Sequence, residues 1–78
     1  MDRNEIFQKL NDIFIDVLDI EEVVLNEDTS ADDIDEWDSL SHIQLIVAIE
    51  KSFGIKFTSK EIMSWKNVGE MVDCILSK

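Results

Sequence analysis

Four features of this sequence are candidates for a reactive or binding role: a serine, a histidine, a cysteine and a segment rich in acids. Ser39 lies in the segment Glu36-Trp37-Asp38-Ser39-Leu40, where an acid-rich stretch meets an apolar one. His42 follows Ser39 by three residues, about one helical turn, which makes it a candidate base for the serine hydroxyl. Cys74 is the only cysteine, which excludes a disulfide framework and a cysteine metal cluster.

The surroundings of Ser39 do not support nucleophilic catalysis. Two side chains on the same helix surface rarely reach in-line geometry for proton transfer, and no glycine-bearing oxyanion loop surrounds this serine. We therefore expect His42 to be a solvated polar residue and Cys74 to lie at the edge of the core. The chain is predicted not to be an enzyme.

The acids do not fit the pattern of a calcium-binding EF-hand. A loop that starts at Asp28 has Ser30 and Asp32 at the third and fifth ligand positions. It has Asp33 where a glycine is needed and Ser39 where a bidentate glutamate is needed. A specific metal site is therefore not expected, whereas loose binding of divalent cations stays open.

Negative charge is concentrated in one segment. The formal net charge is −11, and residues 19–38 hold ten acids and no base, whereas residues 39–78 hold four acids and five lysines. Nucleic acid is excluded as a partner because phosphates repel this charge, and basic protein surfaces attract it. The alternative explanation is that the acids only keep a small protein soluble.

Apolar spacing predicts the helices. A first helix is expected at about residues 3–18, with a face made of Ile6, Phe7, Leu10, Ile13, Phe14, Val17 and Leu18. After a long loop over residues 19–38, a second helix at residues 39–53 is expected to be the most buried, since it is apolar almost all round. A short third helix begins at Thr58 or Ser59, and Asn67 and Glu70 resemble the capping box of a fourth.

The predicted fold class is all-α, a four-helix bundle with three long helices, one short third helix and a long first loop. At 78 residues the chain is expected to form a single domain, 1–78. It has no signal peptide pattern and no stretch of about 20 apolar residues, so we expect a cytoplasmic protein without a membrane span. Trp65 is expected to pack under the short helix, while Trp37 either covers the loop or lies on a docking surface.

Ser39 would occupy the first turn of the second helix, behind Asp38 as its N-cap. Amide N–H groups point outward at that end, so it favours a phosphate ester by charge and by free donors. The simpler alternative is that Ser39 is a second capping residue, which position alone favours.

The segment from Asp38 to Glu50 resembles the signature helix of the acyl carrier proteins, and the triplet Asp38-Ser39-Leu40 is similar to the family's attachment motif. The resemblance continues through residues 53–55 to residues 68–72, and back through Thr29-Ser30 to the first helix. It covers essentially the whole chain. The bare triplet is a weak signal, but at a predicted helix start in a short acidic chain it is a strong one.

The resemblance implies that Ser39 carries 4′-phosphopantetheine as a phosphodiester, installed by a phosphopantetheinyl transferase from coenzyme A. The thiol of the arm would hold acyl groups as thioesters, and the apolar interior beneath Leu40, Ile43 and Val47 would shelter a chain. Expected partners are that transferase and acyl-loading, acyl-transfer or condensing enzymes with basic docking surfaces, and the chain is expected to be a monomer. The expected docking residues are Asp35, Glu36, Trp37, Asp38, Leu40, Ile43 and Gln44.

Several residues depart from carriers of fatty acid synthesis. Gln44 stands where glutamate is common, Lys51 adds a positive charge, and the acidity lies in the loop before Ser39. The pathway is therefore left open between fatty acid synthesis, a polyketide-like route and another specialised acyl transfer. The alternative function is a small acidic interaction domain that binds a basic partner through residues 19–38 and carries no cofactor.

Overall fold

The computed structural model describes residues 2–78, which form four helices joined by loops. The helices are α1 (Arg3–Leu18), α2 (Ser39–Phe53), α3 (Ser59–Ser64) and α4 (Val68–Leu76). A 3₁₀ turn, Ala31–Asp33, interrupts the long loop between α1 and α2. No strand occurs in residues 2–78, so the all-α prediction with a short third helix is confirmed. None of the described helices combines the length and apolar character that crossing a membrane requires.

Side chains cap all four helices at their N-termini. The caps are Asp2, Asp38, Thr58 and Asn67, and each accepts a hydrogen bond from the backbone N–H three residues later. Thr58, rather than Ser59, is thus the cap of α3. The predicted capping box of α4 is only half formed, because the Glu70 carboxylate accepts from the N–H of Lys66 and not from that of Asn67. Helix α2 ends at Gly54, whose φ of 67° is a conformation that glycine adopts without strain.

The core is built from one face each of α1, α2 and α4. Its fully buried side chains are Phe14, Ile6, Leu10, Leu45, Ile49, Met71, Val68 and Val72. The prediction that α2 is the most buried helix is wrong, because only Leu45, Ile46 and Ile49 are buried there, whereas α4 buries five residues of nine. The outer apolar side chains Leu40, Ile43 and Val47 of α2 face solvent.

Backbone contacts with the start of α4 hold the long loop in place. The N–H of Val68 donates to the carbonyl of Thr29 at 2.8 Å, and the N–H of Gly69 donates to the carbonyl of Glu27 at 3.0 Å. These loop carbonyls accept from amides that a helix start would otherwise leave without partners. The buried Leu25 anchors the same loop in the core. The loop is therefore ordered by α4, although it has little regular structure of its own.

Arg3 links three parts of the chain. Its guanidinium donates to both carboxylate oxygens of Glu27, to Asp73 of α4 at 2.7 Å and to the carbonyl of Gly69. The paired Arg3 guanidinium holds the pKa of the Glu27 carboxyl below its usual value. These hydrogen bonds fasten the start of α1 to the long loop and to α4.

Candidate functional site

Ser39 is the first residue of α2, and its side chain is exposed. The capping is done by its neighbours: Asp38 accepts from the N–H of Ser41 at 2.9 Å, and the Ser41 hydroxyl accepts from the N–H of Asp38 at 2.8 Å. Within residues 2–78 the hydroxyl of Ser39 takes part in none of the hydrogen bonds that the structure shows. The alternative that Ser39 is a second capping residue is therefore not what the geometry shows, since Ser41 has that role.

The N-cap carboxylate keeps its charge in this position. Hydrogen bonds from the backbone and the side chain of Ser41 hold the pKa of Asp38 below its usual value. The carbonyl of Asp38 accepts from the N–H of His42 at 2.9 Å, which closes the first turn of the helix. Ser39 thus lies in the hydrogen-bonded first turn of α2, next to the ionised carboxylate of Asp38, and is exposed to solvent.

A cleft of about 440 Å³ lies against Ser39. Asp38, Ser39 and His42 of α2 form one side, and Trp65, Lys66 and Asn67 of the α3–α4 connection form the other. Ala31, Trp37 and Met71 complete its lining. Its volume lies in the range of small-molecule binding sites, which are typically about 300–1,000 Å³.

Aromatic rings form the wall of this cleft behind Ser39. The indole N–H of Trp37 donates to Nδ1 of His42 at 3.1 Å, and the two rings stack with centroids 5.8 Å apart. Trp65 meets the His42 ring edge-on at 6.4 Å and the Phe57 ring at 4.8 Å. The expectation of a solvated His42 is therefore wrong: it is half-buried, and burial lowers its pKa. Its Nδ1 is occupied as an acceptor, which does not suit a base for Ser39.

Six of the seven expected docking residues are exposed around Ser39. They are Asp35, Glu36 and Asp38 on the loop side and Leu40, Ile43 and Gln44 on the helix. Trp37 is the exception, because its side chain is only 7% exposed and packs edge-on against Phe14 with ring centroids 5.0 Å apart. Of the two predicted placements, an exposed position on the docking surface is therefore not the one that the structure shows.

An apolar stripe runs along the outer face of α2. Leu40, Ile43 and Val47 are 69%, 61% and 45% exposed, and their spacing of three and four residues places them on one side of the helix. These side chains extend the exposed surface that begins at Ser39. That the apolar interior beneath them shelters a chain stays a prediction.

The remaining candidates do not form a second site. In the part of the chain that the structure describes, no group of three or more His, Cys, Asp or Glu side chains could hold a metal ion. Cys74 is half-buried, and its burial raises the pKa of the thiol. Its Sγ lies 3.5 Å from Oε2 of Glu61, as expected for a residue at the edge of the core.

Sequence reasoning missed the far side of the cleft. Trp65, Lys66 and Met71 lie more than twenty residues from Ser39 in the chain, and no local pattern connects them with it. The available signal was the sequence Trp65-Lys66-Asn67, an aromatic and a charged residue directly before a helix cap.

Comparisons with known proteins agree with this geometry. The family model described as "Phosphopantetheine attachment site" matches residues 8–75. The chain is 34% identical to an acyl carrier protein of Rubrobacter xylanophilus, over 97% of this chain and 94% of that one. It is 33% identical to an acyl carrier protein of Petrotoga mobilis, over 100% of this chain and 92% of that one. The solution structure of a holo acyl carrier protein from Geobacter metallireducens superposes with a TM-score of 0.86 at 46% identity, covering 92% of this chain and 83% of that one.

Proposed function

The chain belongs to the acyl carrier protein family, whose members carry covalently attached 4′-phosphopantetheine, and we propose that Ser39 is the residue that carries this arm. The observation that supports Ser39 is its exposed hydroxyl at the first position of α2, which the capping interactions of Asp38 and Ser41 leave unused. The hydroxyl of Ser41, by contrast, also contacts the carbonyl oxygens of Glu36 and Asp38. The two nearby serines therefore differ in accessibility.

The position of Ser39 fits a phosphodiester. A phosphate at the start of a helix faces the positive end of the helix dipole, and Lys66 brings a cation to the rim of the same cleft. The ionised Asp38 opposes a second negative charge, so a phosphate that points away from the Asp38 carboxylate and toward Lys66 is the favoured arrangement.

Attachment requires a separate enzyme, because this site offers no base. Ser39 Oγ forms the bond to phosphorus while the pyrophosphate bond of coenzyme A breaks, and adenosine 3′,5′-bisphosphate leaves. The serine proton passes to a base of the transferase, since Nδ1 of His42 is already hydrogen-bonded to Trp37. When bound, the arm supplies a terminal thiol that holds an acyl group as a thioester.

The protein itself is a carrier and not an enzyme. It presents the acyl group to a series of partner enzymes and dissociates from each of them after the transfer. The acids on the loop side of Ser39 attract basic docking surfaces over a distance, and the stripe of Leu40, Ile43 and Val47 supplies the contact area next to the attachment point. Weak docking of this kind suits a shuttle, which must dissociate after each transfer.

We assign the docking surface to Asp35, Glu36, Asp38, Leu40, Ile43 and Gln44, with Val47 as its extension. The cofactor-free interaction domain is not retained, since the match to the attachment-site family covers residues 8–75. The concentration of acids before Ser39, with Gln44 and Lys51 on α2, supports service in a specialised acyl-transfer pathway. The genes that neighbour this one would test that assignment directly.

The attachment site is tested by incubating the protein with coenzyme A and a broad-specificity phosphopantetheinyl transferase. We expect intact mass spectrometry to show one added arm, peptide mapping to place it on Ser39, and Ser39→Ala to abolish it. Ser41→Ala is the matched control, which should still accept the arm. An arm on Ser41, or an unmodified wild-type chain, would show that the assignment is wrong.

The docking surface is tested with the same transferase as the partner. The double variant Asp35→Asn/Glu36→Gln should raise the KM of the modification reaction with little change in kcat, and added salt should raise the wild-type KM toward it. Asp12→Asn, an exposed acid on α1, is the control and should behave as the wild type. Equal increases in KM for the loop variant and for Asp12→Asn would show that docking depends on the total charge of the protein and not on the position of the acids.

A further inference from the structure

The imidazole of His42 is held between two tryptophans. It is the only histidine of the chain, and it does not serve as a base for Ser39. Its ring stacks on Trp37, with centroids 5.8 Å apart, and meets Trp65 edge-on at 6.4 Å. The indole N–H of Trp37 donates to Nδ1 of His42 at 3.1 Å. Two neighbouring rings and one hydrogen bond therefore fix the orientation of the imidazole.

The hydrogen bond from Trp37 also fixes the tautomer of His42. A neutral imidazole has one protonated nitrogen, which donates, and one unprotonated nitrogen, which accepts. An indole N–H is a donor only, so Nδ1 is the unprotonated nitrogen and the proton of the neutral ring lies on Nε2. Burial lowers the pKa of His42, which keeps the ring in this neutral form near neutral pH.

The Nε2–H of His42 is a donor that the protein itself does not use. The hydrogen bonds among residues 2–78 include one at Nδ1 and none at Nε2. Every buried side-chain nitrogen or oxygen in this part of the chain has a hydrogen-bond partner, so an Nε2 without one is not buried. His42 is half-buried and lines the cleft beside Ser39, which is where we place the open side of its ring.

Ser39 and His42 lie one turn apart on the same face of α2. Side chains three residues apart on a helix have Cβ atoms about 5–6 Å from each other. Helical side chains also point back toward the N-terminus, so the imidazole of His42 covers the turn that begins at Ser39. A phosphate esterified to Ser39 would span this gap, because its non-bridging oxygens extend beyond Oγ toward the ring.

Other donors reach the same cleft from the α3–α4 connection. They are the ammonium of Lys66 and the side-chain amide N–H groups of Asn67. His42 differs from both because it shares a helix with Ser39, so its distance from the ester does not depend on how two elements pack. The charged residues that line the cleft are Asp38 and Lys66, and the carboxylate of Asp38 repels the phosphate toward the other donors. A phosphodiester has two non-bridging oxygens, so a bond from His42 leaves one for Lys66 or Asn67.

We propose that the Nε2–H of His42 donates a hydrogen bond to the phosphodiester at Ser39 and, oriented by Trp37, fixes the direction in which the 4′-phosphopantetheine arm leaves α2. This inference rests on the proposed attachment at Ser39. His42 is a positioning residue and not a catalytic one. The bond is strengthened by the charge of the acceptor, although the ring is neutral. A fixed starting direction also reduces the freedom that a partner enzyme must remove when it takes up the arm.

NMR of the single histidine tests the contact in the unmodified and the arm-bearing protein. The nitrogen chemical shifts near neutral pH should show Nδ1 unprotonated and Nε2 protonated in both forms. Attachment of the arm should slow the exchange of the Nε2 proton with water, and it should raise the pKa of His42 because a nearby anion favours the charged ring. A proton on Nδ1 of the neutral ring, or an Nε2–H exchange rate that attachment leaves unchanged, would overturn the proposal.

Variants separate His42 from the other donors of the cleft. His42→Phe keeps an aromatic ring without the donor, so the phosphorus NMR signal of its arm should move toward that of the arm on the urea-unfolded protein. Asn67→Ser keeps an oxygen to cap α4 but loses the amide donor, and Lys66→Gln loses the ammonium. Both should retain the slow exchange at Nε2 of His42. Loss of that slow exchange in either, or a wild-type phosphorus signal in His42→Phe, would contradict a direct bond; if His42→Phe did not fold, the exchange rates of the wild type decide.

Failure of the attachment can be told apart from failure of this contact. Intact mass and peptide mapping report the arm independently of His42. An arm on Ser39 with an unresponsive His42 would overturn the hydrogen bond and leave the carrier function standing. A chain that accepts no arm on Ser39 would overturn the proposed attachment and, with it, this role of His42.

Discussion

Asp38 and Ser41 exchange two hydrogen bonds across the first turn of α2, at 2.9 and 2.8 Å, with Ser39 held between them. The pair satisfies the end of the helix without using the hydroxyl of Ser39. Ser41 therefore stabilises the start of α2, whereas the hydroxyl of Ser39, two residues earlier, stays accessible.

Ser41→Ala should lower the free energy of unfolding by about 1 kcal/mol, because the N–H of Asp38 loses its acceptor. Ser39→Ala should change it much less, since the Ser39 hydroxyl caps nothing. Urea denaturation of both variants measures the difference. If Ser39→Ala proved the more destabilising of the two, the hydroxyl of Ser39 would have a structural role that the geometry does not show.

Gly69→Ala should destabilise the protein, although alanine is the better helix former. A Cβ at this position would lie 2.7 Å from the carbonyl oxygen of Glu27, so the loop would have to move away from α4. We expect a net loss of about 1 kcal/mol, since overpacking exceeds the gain in helix propensity. Thermal melts of Gly69→Ala measure the loss, with Ser52→Ala, at an exposed position on α2, as the control. A melting temperature of Gly69→Ala at or above that of the wild type would contradict the contact.

His42 should make stability depend on pH in the mildly acidic range. Burial lowers its pKa in the folded state below the ordinary value of 6.5, so the unfolded chain binds the proton more readily. Its contribution is present above pH 6.5 and is lost as the pH falls through the folded-state pKa. Protonation would also place two donors, Nδ1–H and the indole N–H of Trp37, against each other. His42→Gln retains an acceptor without titrating, so the melting temperature of this variant should change less between pH 7 and about pH 5.5 than that of the wild type. An equal change in melting temperature for both proteins would show that His42 is not responsible.

Lys78 should stabilise the fold near neutral pH through its ion pair with Glu61, and this contribution should be lost in acid. The paired ammonium of Lys78 and the backbone N–H of Thr58 lower the pKa of Glu61 to about 2, so the stabilising effect of this carboxylate is present above pH 4.5 and is lost as the pH falls toward 2. Lys78→Gln should raise the pKa of Glu61 toward its ordinary value, which NMR titration of the side-chain carboxyl would detect. Lys56→Gln, an exposed lysine outside this pair, is the control and should leave that titration unchanged.

Salt should raise the melting temperature, because the ten acids of residues 19–38 repel one another. Mg²⁺ should do the same, and its effect should follow ionic strength, since no cluster of metal ligands is formed within residues 2–78. Melts in NaCl and MgCl₂ at matched ionic strength test this. A melting temperature indifferent to both salts would indicate that the acids are too dispersed to interact.

The positions of the helices were predictable because their signals are local. Apolar spacing and caps placed α1 at Arg3–Leu18 and α2 at Ser39–Phe53, and the structure confirms both. The same reasoning overestimated the burial of α2, because apolar content does not show which neighbours are present to cover a face. It also could not place the side chain of Trp37, because a loop has no regular repeat from which the direction of a side chain can be predicted.

Local residue patterns were sufficient to predict the all-α class, the acidic loop and the position of Ser39 at a helix start. Each of these depends on residues within one or two turns of one another, where spacing and charge act directly. The folded chain was needed to show that Trp37 faces Phe14 and His42, that Ser41 rather than Ser39 completes the cap, and that Lys66 shares a cleft with Ser39. Those outcomes depend on how the long loop and the α3–α4 connection pack onto α2, and packing between distant segments has no signature in local spacing.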